Sequence, residues 1–234
     1  MKFISILAAV FLMGSVPVSA QFEHPDLKSG KVRVHSLLLM PAQVKLTKVG
    51  MKGGEPMMDE SRRAEQDLSA VVVGVLQDLG YKVDHDTLGT TALEKDADLR
   101  YSVDDLQKKF DEQLGLMNRK SKDVRKGRFT LGDEVTKLPA GEGVDSLLFV
   151  RAEGQVLTGG KKTFGILVGG AKNDMAFMHF GVVDAKTGDV LYFARPVALR
   201  NIAKDSEKTK GVVKRAFKNF AKASPAAGAP AKNK

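Results

Sequence analysis

The chain has 234 residues, 43% of them hydrophobic, and a formal charge of +9, enough length and apolar content to bury one sizeable core. It contains no Cys. That excludes thiol catalysis, cysteine metal centres, disulfide staples and a lipidated cysteine.

Lys2 opens a short positive region, Phe3 to Gly14 form an apolar run, and Val18-Ser19-Ala20 carries the small-x-small pattern that signal peptidase cuts. The run is too short to span a bilayer as a stable helix. A signal peptide over 1–20 with cleavage after Ala20 is therefore predicted, leaving a periplasmic or secreted protein. Outside the cytoplasm the counterparts of a basic protein are acidic proteins, lipid head groups and cell-wall polymers, not nucleic acid. No later apolar stretch approaches the length of a membrane span, so no transmembrane helix is expected.

Residues 21–30, with Pro25 and Gly30, read as an irregular lead-in to a single domain over 31–222. Val32 to Met40 alternates and then turns continuously apolar, the pattern of a central buried strand, and Pro41 ends it. Gln43 to Met51 alternates again as an edge strand or hairpin, broken by Gly53, Gly54 and Pro56. From Asp59 to Leu79, Ala64, Leu68, Val71, Val72, Val75, Leu76 and Leu79 form one helical stripe. Asp59 or Ser61 is the expected cap and Gly80 the left-handed stop. Tyr81 to Val83 is a short strand.

Val103 to Met117 is predicted helical, with Val103, Leu106, Phe110 and Leu114 on one side. Asn118 to Gly127 holds Arg119, Lys120, Lys122, Arg125 and Lys126 and reads as an exposed basic turn or helix end. Phe129 to Leu138 is a further short helix, stopped by Pro139, Gly141 and Gly143. Ser146 to Leu157 is a strand around Leu147-Leu-Phe-Val150, turned by Gly159-Gly160; Thr163 to Val168 is apolar and flanked by glycine. Met175 to Asp184 and Val190 to Val197 are strands joined by the hairpin turn Asp184-Ala-Lys-Thr-Gly-Asp189. Ser206 to Phe220 closes the domain as a helix with Val212, Val213, Ala216, Phe217 and Phe220 inward. Residues 223–234 form an Ala/Pro/Lys tail of disordered composition. The order implies an α/β fold: a single mixed β-sheet with helices packed on its faces.

Chemical motifs are sparse. Gly159-Gly-Lys-Lys-Thr163 carries one Lys too many for a phosphate loop and precedes a strand-like run, not a helix. Gly165, Gly169 and Gly170 lack the strand–glycine–helix order of a dinucleotide fingerprint. Asp84-His85-Asp86 is the one local cluster of metal-capable groups, but His24, His35, His85 and His179 include no pair at helical spacing, so no metal site is assigned. Ser36, Ser102 and Ser146 stand outside any nucleophile pattern. Glu142 with Asp145, or Asp111 with Glu112, are carboxylates that only the fold can pair. No catalytic residue and no cofactor is predicted.

Four segments carry a resemblance: the opening strand Val34-His-Ser-Leu-Leu-Leu-Met-Pro41, the helix Arg62 to Leu79 ending in Leu-Gly-Tyr-Lys-Val83, the strand Asp145-Ser-Leu-Leu-Phe-Val-Arg-Ala152, and the hairpin Val182 to Phe193. Together they resemble the α/β domain of bacterial envelope proteins that includes the amino-terminal domain of TolB, the curli secretion lipoprotein and the lipoprotein activators of penicillin-binding proteins. The chain departs from the lipoprotein members in having no Cys after its signal peptide. The resemblance implies a TolB amino-terminal-like fold and a non-enzymatic binding or assembly module, whose function lies in its surfaces. An envelope protein is the expected partner, and Arg119, Lys120, Lys122, Arg125 and Lys126 the expected contact surface. Two alternatives stay open: a secreted hydrolase or small-ligand enzyme around Asp84-His85-Asp86, and a peripheral binder of anionic membrane or cell-wall polymer.

Overall fold

Leu37 and Leu39 bury on one face of the central sheet and Leu38 and Met40 on the other, because successive residues of a strand point to opposite sides. The computed structural model describes residues 19–138, 143–162 and 173–224. Among them the sheet has eight strands. Its main path runs β1 (Ser19–Glu23), β8 (Val190–Ala198), β7 (Met175–Asp184), β6 (Ser146–Leu157), β2 (Ser36–Leu39) and β5 (Lys82–Asp84). β2 lies parallel to both β5 and β6, whereas β6, β7, β8 and β1 form an antiparallel meander. This is the mixed α/β architecture expected, with β2 a fully buried inner strand.

β3 (Gln43–Gly50) also pairs with β6 in parallel, beyond β2, so β2 and β3 form one line interrupted at Met40-Pro41-Ala42. Pro41 has no N–H to give to a ladder, which accounts for a break at that point. β4 (Gly53–Pro56) returns antiparallel on β3. The Gly53, Gly54 and Pro56 expected to break the chain therefore form the outer arm of a hairpin.

Helices cover both faces. α2 (Met58–Asp78), α5 (Ser206–Ala216) and α6 (Lys218–Ala223) pack on the first core, with Leu68, Val72, Val75, Leu76, Val213 and Phe217 inward. α4 (Ala97–Arg119) and the 3-10 turns Ser121–Lys126 and Asp133–Lys137 pack on the second, with Val103, Leu106, Phe110, Met117, Val124 and Val135 inward. No helix among the described residues is long and apolar enough to cross a membrane.

The expected caps of α2 are not used: Met57 occupies the N-cap without a side-chain bond. Ser61 instead donates to the Met57 carbonyl and accepts from the Leu46 N–H at 3.0 Å, and Glu65 accepts from the Val44 N–H at 3.0 Å. Both serve β3 along the stretch of edge between β4 and β5, where a buried N–H without a partner would be costly. Gly80 ends the helix at φ 91° as expected.

Other elements depart from their sequence patterns. The lead-in is ordered: Gln21 to Glu23 belong to β1, and Pro25–Ser29 form α1, capped by His24 Nδ1 and closed by Gly30 at φ 76°. α3 (Thr90–Lys95) is a short helix without any buried residue, so it leaves no apolar stripe to read. Phe129 to Leu138 holds an isolated bridge from Thr130 to Asp189 and then a 3-10 turn, not one helix. Residues 159–162 are helical where a glycine turn was expected. The closing helix divides at Phe217 because strand side chains take its backbone groups. The Gln21 amide donates to the Arg215 carbonyl and accepts from the Asn219 N–H, and the Tyr192 hydroxyl donates to the Ala216 carbonyl. Ser224, placed in the tail by composition, is buried, and its hydroxyl accepts from the Val34 N–H at 2.7 Å. Pro139, Gly141, Glu142, Thr163 to Val168, Gly169, Gly170, residues 225–234 and residues 1–18 lie outside the described residues.

Phe110 joins α4 to the sheet, stacking on Phe149 with ring centroids 4.3 Å apart and lying over Gly181, where a Cβ would enter its ring. Gly181→Ala is expected to lower stability by about 1–3 kcal/mol in urea unfolding. An unchanged unfolding midpoint would show that α4 can lift away from β7 at no cost.

Candidate functional site

The strand register assembles a polar row that no local pattern contains. Gln43 on β3 pairs with Arg151 on β6, and Arg151 with His179 on β7. Between the pairs Phe177–Val197 and Phe180–Ala194, the same register sets His179 beside Arg195 on β8. Ala20 on β1 pairs with Arg195. These side chains share the α4 face of the sheet, next to Leu147 and Phe149, and α4 ends as it reaches them.

Arg151 is 6% exposed and each of its guanidinium nitrogens has a partner. Nε meets Asp111 Oδ1 at 2.6 Å, Nη1 donates to the Val150 carbonyl at 3.2 Å, and Nη2 donates to the Gln107 carbonyl at 3.2 Å and to the Gln107 side-chain oxygen. Gln107 Nε2 in turn donates to the Pro41 carbonyl at 2.8 Å. One buried network thus ties α4 to the break between β2 and β3. Burial lowers the Arg151 pKa while Asp111 opposes the shift, and a guanidinium stays charged throughout.

Arg195 is half-buried and differs in its partners. Its Nη1 donates to the Asn118 carbonyl at 2.9 Å and to Asn118 Oδ1 at 3.3 Å, both neutral acceptors, and no carboxylate among the described residues pairs with it. His179 lies between the two arginines and stacks on Phe193 at 6.1 Å. Burial, then Arg195 and Arg151, push its pKa down to about 4, so the imidazole is neutral at neutral pH.

Where α4 ends, two adjoining lobes of about 290 and 350 Å³ open over this row, sharing Asn118, Glu153 and His179. Gln43, Lys45 and Asp111 line the first; Arg195, Phe177 and Val197 line the second. Phe177 is 45% exposed. A larger cleft of about 790 Å³ lies between α2 and the end of β2, from Leu39 to Ala42, with His85 and Leu88 on its far wall. Glu65, which lines it, is engaged by the Val44 N–H.

The residues singled out from sequence are dispersed. Arg119, Lys120, Lys122, Arg125 and Lys126 are all exposed. Arg119 donates to its own helix at the Gly115 carbonyl, Lys126 meets Asp123 at 3.4 Å, and the Arg125 guanidinium lies 5.1 Å over the Phe22 ring. Their 3-10 turn rests on β1. Across β1, on the opposite face, α5 and α6 expose Lys214, Arg215, Lys218 and Lys222.

Asp84-His85-Asp86 forms a turn. Burial raises the Asp84 pKa, but hydrogen bonds from the Thr87 hydroxyl and from the Thr87 and Asp86 N–H groups outweigh it and hold the carboxyl below its ordinary value. His85 and Asp86 are exposed, 3.7 Å apart. Among the described residues no three His, Asp or Glu side chains are placed to hold a metal ion. Ser146 is sealed inside the sheet, Ser36 is bonded to Gly143 and Asp145, and Ser102 to the Asp98 carbonyl. Asp145 accepts from the His35 and Ser36 N–H groups at 2.7 and 3.0 Å and so fastens the start of β6 to that of β2. Asp111 is held by Arg151 and does not meet Glu112. Arg151 and Arg195 went unnoticed in the sequence; the available signal was an Arg closing the apolar run Leu147-Leu-Phe-Val150, where a charge is tolerated only with partners.

No family model matches the chain, and no curated protein matches it. Solved structures to which it is similar include the PelC dodecamer from Paraburkholderia phytofirmans, at 11% identity and TM-score 0.39, covering 89% of this chain and 97% of that one. A point-substituted PelC dodecamer from the same organism gives 11% identity and TM-score 0.40, covering 89% and 98%.

Proposed function

We propose that the chain is an exported, non-enzymatic binding module of the bacterial cell envelope that acts through protein contacts, with an α/β domain of the TolB amino-terminal type. One observation carries the reading. Two basic segments distant in sequence, Arg119 to Lys126 and Lys214 to Lys222, flank the same edge strand, β1, from its two faces and make one cationic rim. A cationic rim speeds and orients encounter with an acidic partner more than it adds affinity. The resemblance adds a second support. Its motifs meet in space: Asp145, which opens β6, holds β2 through its carboxylate and accepts from the Ala185 N–H of the Asp184 hairpin at 3.0 Å.

Cleavage after Ala20 would remove Ser19 and Ala20 from β1. It would leave Gln21, Phe22 and Glu23 on Ala194, Phe193 and Tyr192, and would uncover Arg195 and Pro196 on β8. The test is in-cell crosslinking of the exported protein. Arg119→Glu, Lys122→Glu and Arg125→Glu together are expected to cut capture of an envelope protein by about tenfold or more, at an unfolding temperature within a few degrees of the parent. Undiminished capture by the folded triple variant would overturn the rim as the contact surface.

A further inference from the structure

The pocket over the polar row is independent of the cationic rim and carries its own chemistry. We propose that it binds a carboxylate bearing an apolar substituent, the carboxylate held by Arg195 and His179 and the substituent lying along Phe177 and Val197. The charge balance selects the head group. Arg151 is neutralised by Asp111, and Lys45, in register with Glu153 on the neighbouring strand, is exposed to water. That leaves Arg195, a half-buried guanidinium whose partners are the two neutral oxygens of Asn118. A partly buried cation with no counter-charge favours an anion entering its site. Glu153, which lines both lobes, disfavours a second negative charge on the ligand.

Hydrogen-bonding capacity points the same way. His179, lining both lobes, makes no side-chain hydrogen bond among the described residues, and as a neutral imidazole it offers one N–H. Asn118 lines both lobes, and Gln43 and Lys45 line the first. A concave site with a few convergent polar groups and an apolar wall is the usual form of a ligand pocket. Phe177, exposed on that wall beside Val197, supplies the apolar surface. The chemistry is shared by a small carboxylic acid and by the carboxy-terminal end of a polypeptide whose last residue is apolar.

His179 is a built-in reporter. Arg195, Arg151 and Lys45 surround it with positive charge, and Asp111 and Glu153 are the carboxylates facing the same pocket. A bound carboxylate offsets the positive groups and must raise the histidine's pKa from about 4. The experiment follows the His179 imidazole by nuclear magnetic resonance in the exported chain, which begins at Gln21. Three probes are titrated: N-acetylphenylalanine, a short peptide ending in Phe with a free carboxylate, and inorganic phosphate.

A free carboxylate is expected to bind saturably and to move the His179 pKa up by about one unit or more, whereas the amidated forms of both organic probes leave it in place. Arg195→Gln is expected to weaken binding about tenfold or more, and Glu153→Gln to tighten it about twofold to fivefold, a gain that misfolding cannot produce. A peptide that binds about tenfold more tightly than N-acetylphenylalanine identifies a polypeptide terminus as the source, and equal affinities identify a small acid. Phosphate binding as tightly as the carboxylates, binding unaffected by Arg195→Gln, or no shift with either carboxylate would overturn the proposal. None of these outcomes bears on capture through the rim.

Discussion

Arg151→Ala is expected to destabilise the protein by about 2–3 kcal/mol, the cost of leaving the buried Gln107 side chain without its partner, because the Asp111 carboxylate is half-exposed and turns to water. The deletion strands the Gln107 side-chain oxygen, deprives Asp111 of its ion pair and removes the guanidinium that lies 5.4 Å over the Phe110 ring. Gln107 also holds the Pro41 carbonyl, so the damage extends to the junction of β2 and β3. Arg151→Met keeps much of the volume without a charge and should cost less. Gln107→Ala should interact with Arg151→Ala by about 1–3 kcal/mol in a double-mutant cycle, since both remove the same bonds. Urea unfolding of the four proteins measures this. A loss below about 1 kcal/mol for Arg151→Ala would mean that water replaces the guanidinium freely and that the network does not clamp α4 to the sheet.

The second large effect is a pH dependence centred on His179. Its native pKa of about 4 lies below the ordinary 6.5, so between these values the unfolded chain binds the proton and the folded chain does not. Stability therefore rises with pH across that window: the contribution is complete above about pH 6.5 and is lost as pH falls to about 4. For a half-buried imidazole the loss is of the order of 2 kcal/mol. The groups facing it complicate only the baseline. Arg151, Arg195, Lys45, Asp111 and Glu153 are present in both proteins compared. His179→Gln is expected to flatten the unfolding free energy between pH 6.5 and about 4, so that the variant gains on the parent by about 2 kcal/mol as pH falls to about 4. Parallel profiles would place His179 in water, away from the arginines' field.

The strands and helices whose apolar residues recur with the period of one element were legible from the amino-acid order. β6 and β7 coincide with their patterns to the residue, α2 shows its stripe, and Gly80 and Gly188 mark the turns that need positive φ. Each depends on neighbours a few positions apart, the range over which propensity and periodicity act. α1, α3 and β4 were hidden because short or exposed elements carry too few apolar residues to show a period. The division of the last helix was hidden because Gln21 and Tyr192, remote in sequence, cause it.

The candidate sites belong to the second kind. Arg119 to Lys126 is visible as a basic run, but its place beside Lys214 to Lys222 follows from β1 pairing with β8 at the sheet edge. Arg151, His179 and Arg195 are three isolated residues in three strands until the antiparallel register lays them side by side. The sequence by itself determined the alternating faces, the α/β class and the surplus of positive charge. Register and the point where α4 stops decided which charges are paired, which cation is left without a counter-charge, and where the pocket opens, because those depend on long-range pairings that no local spacing encodes.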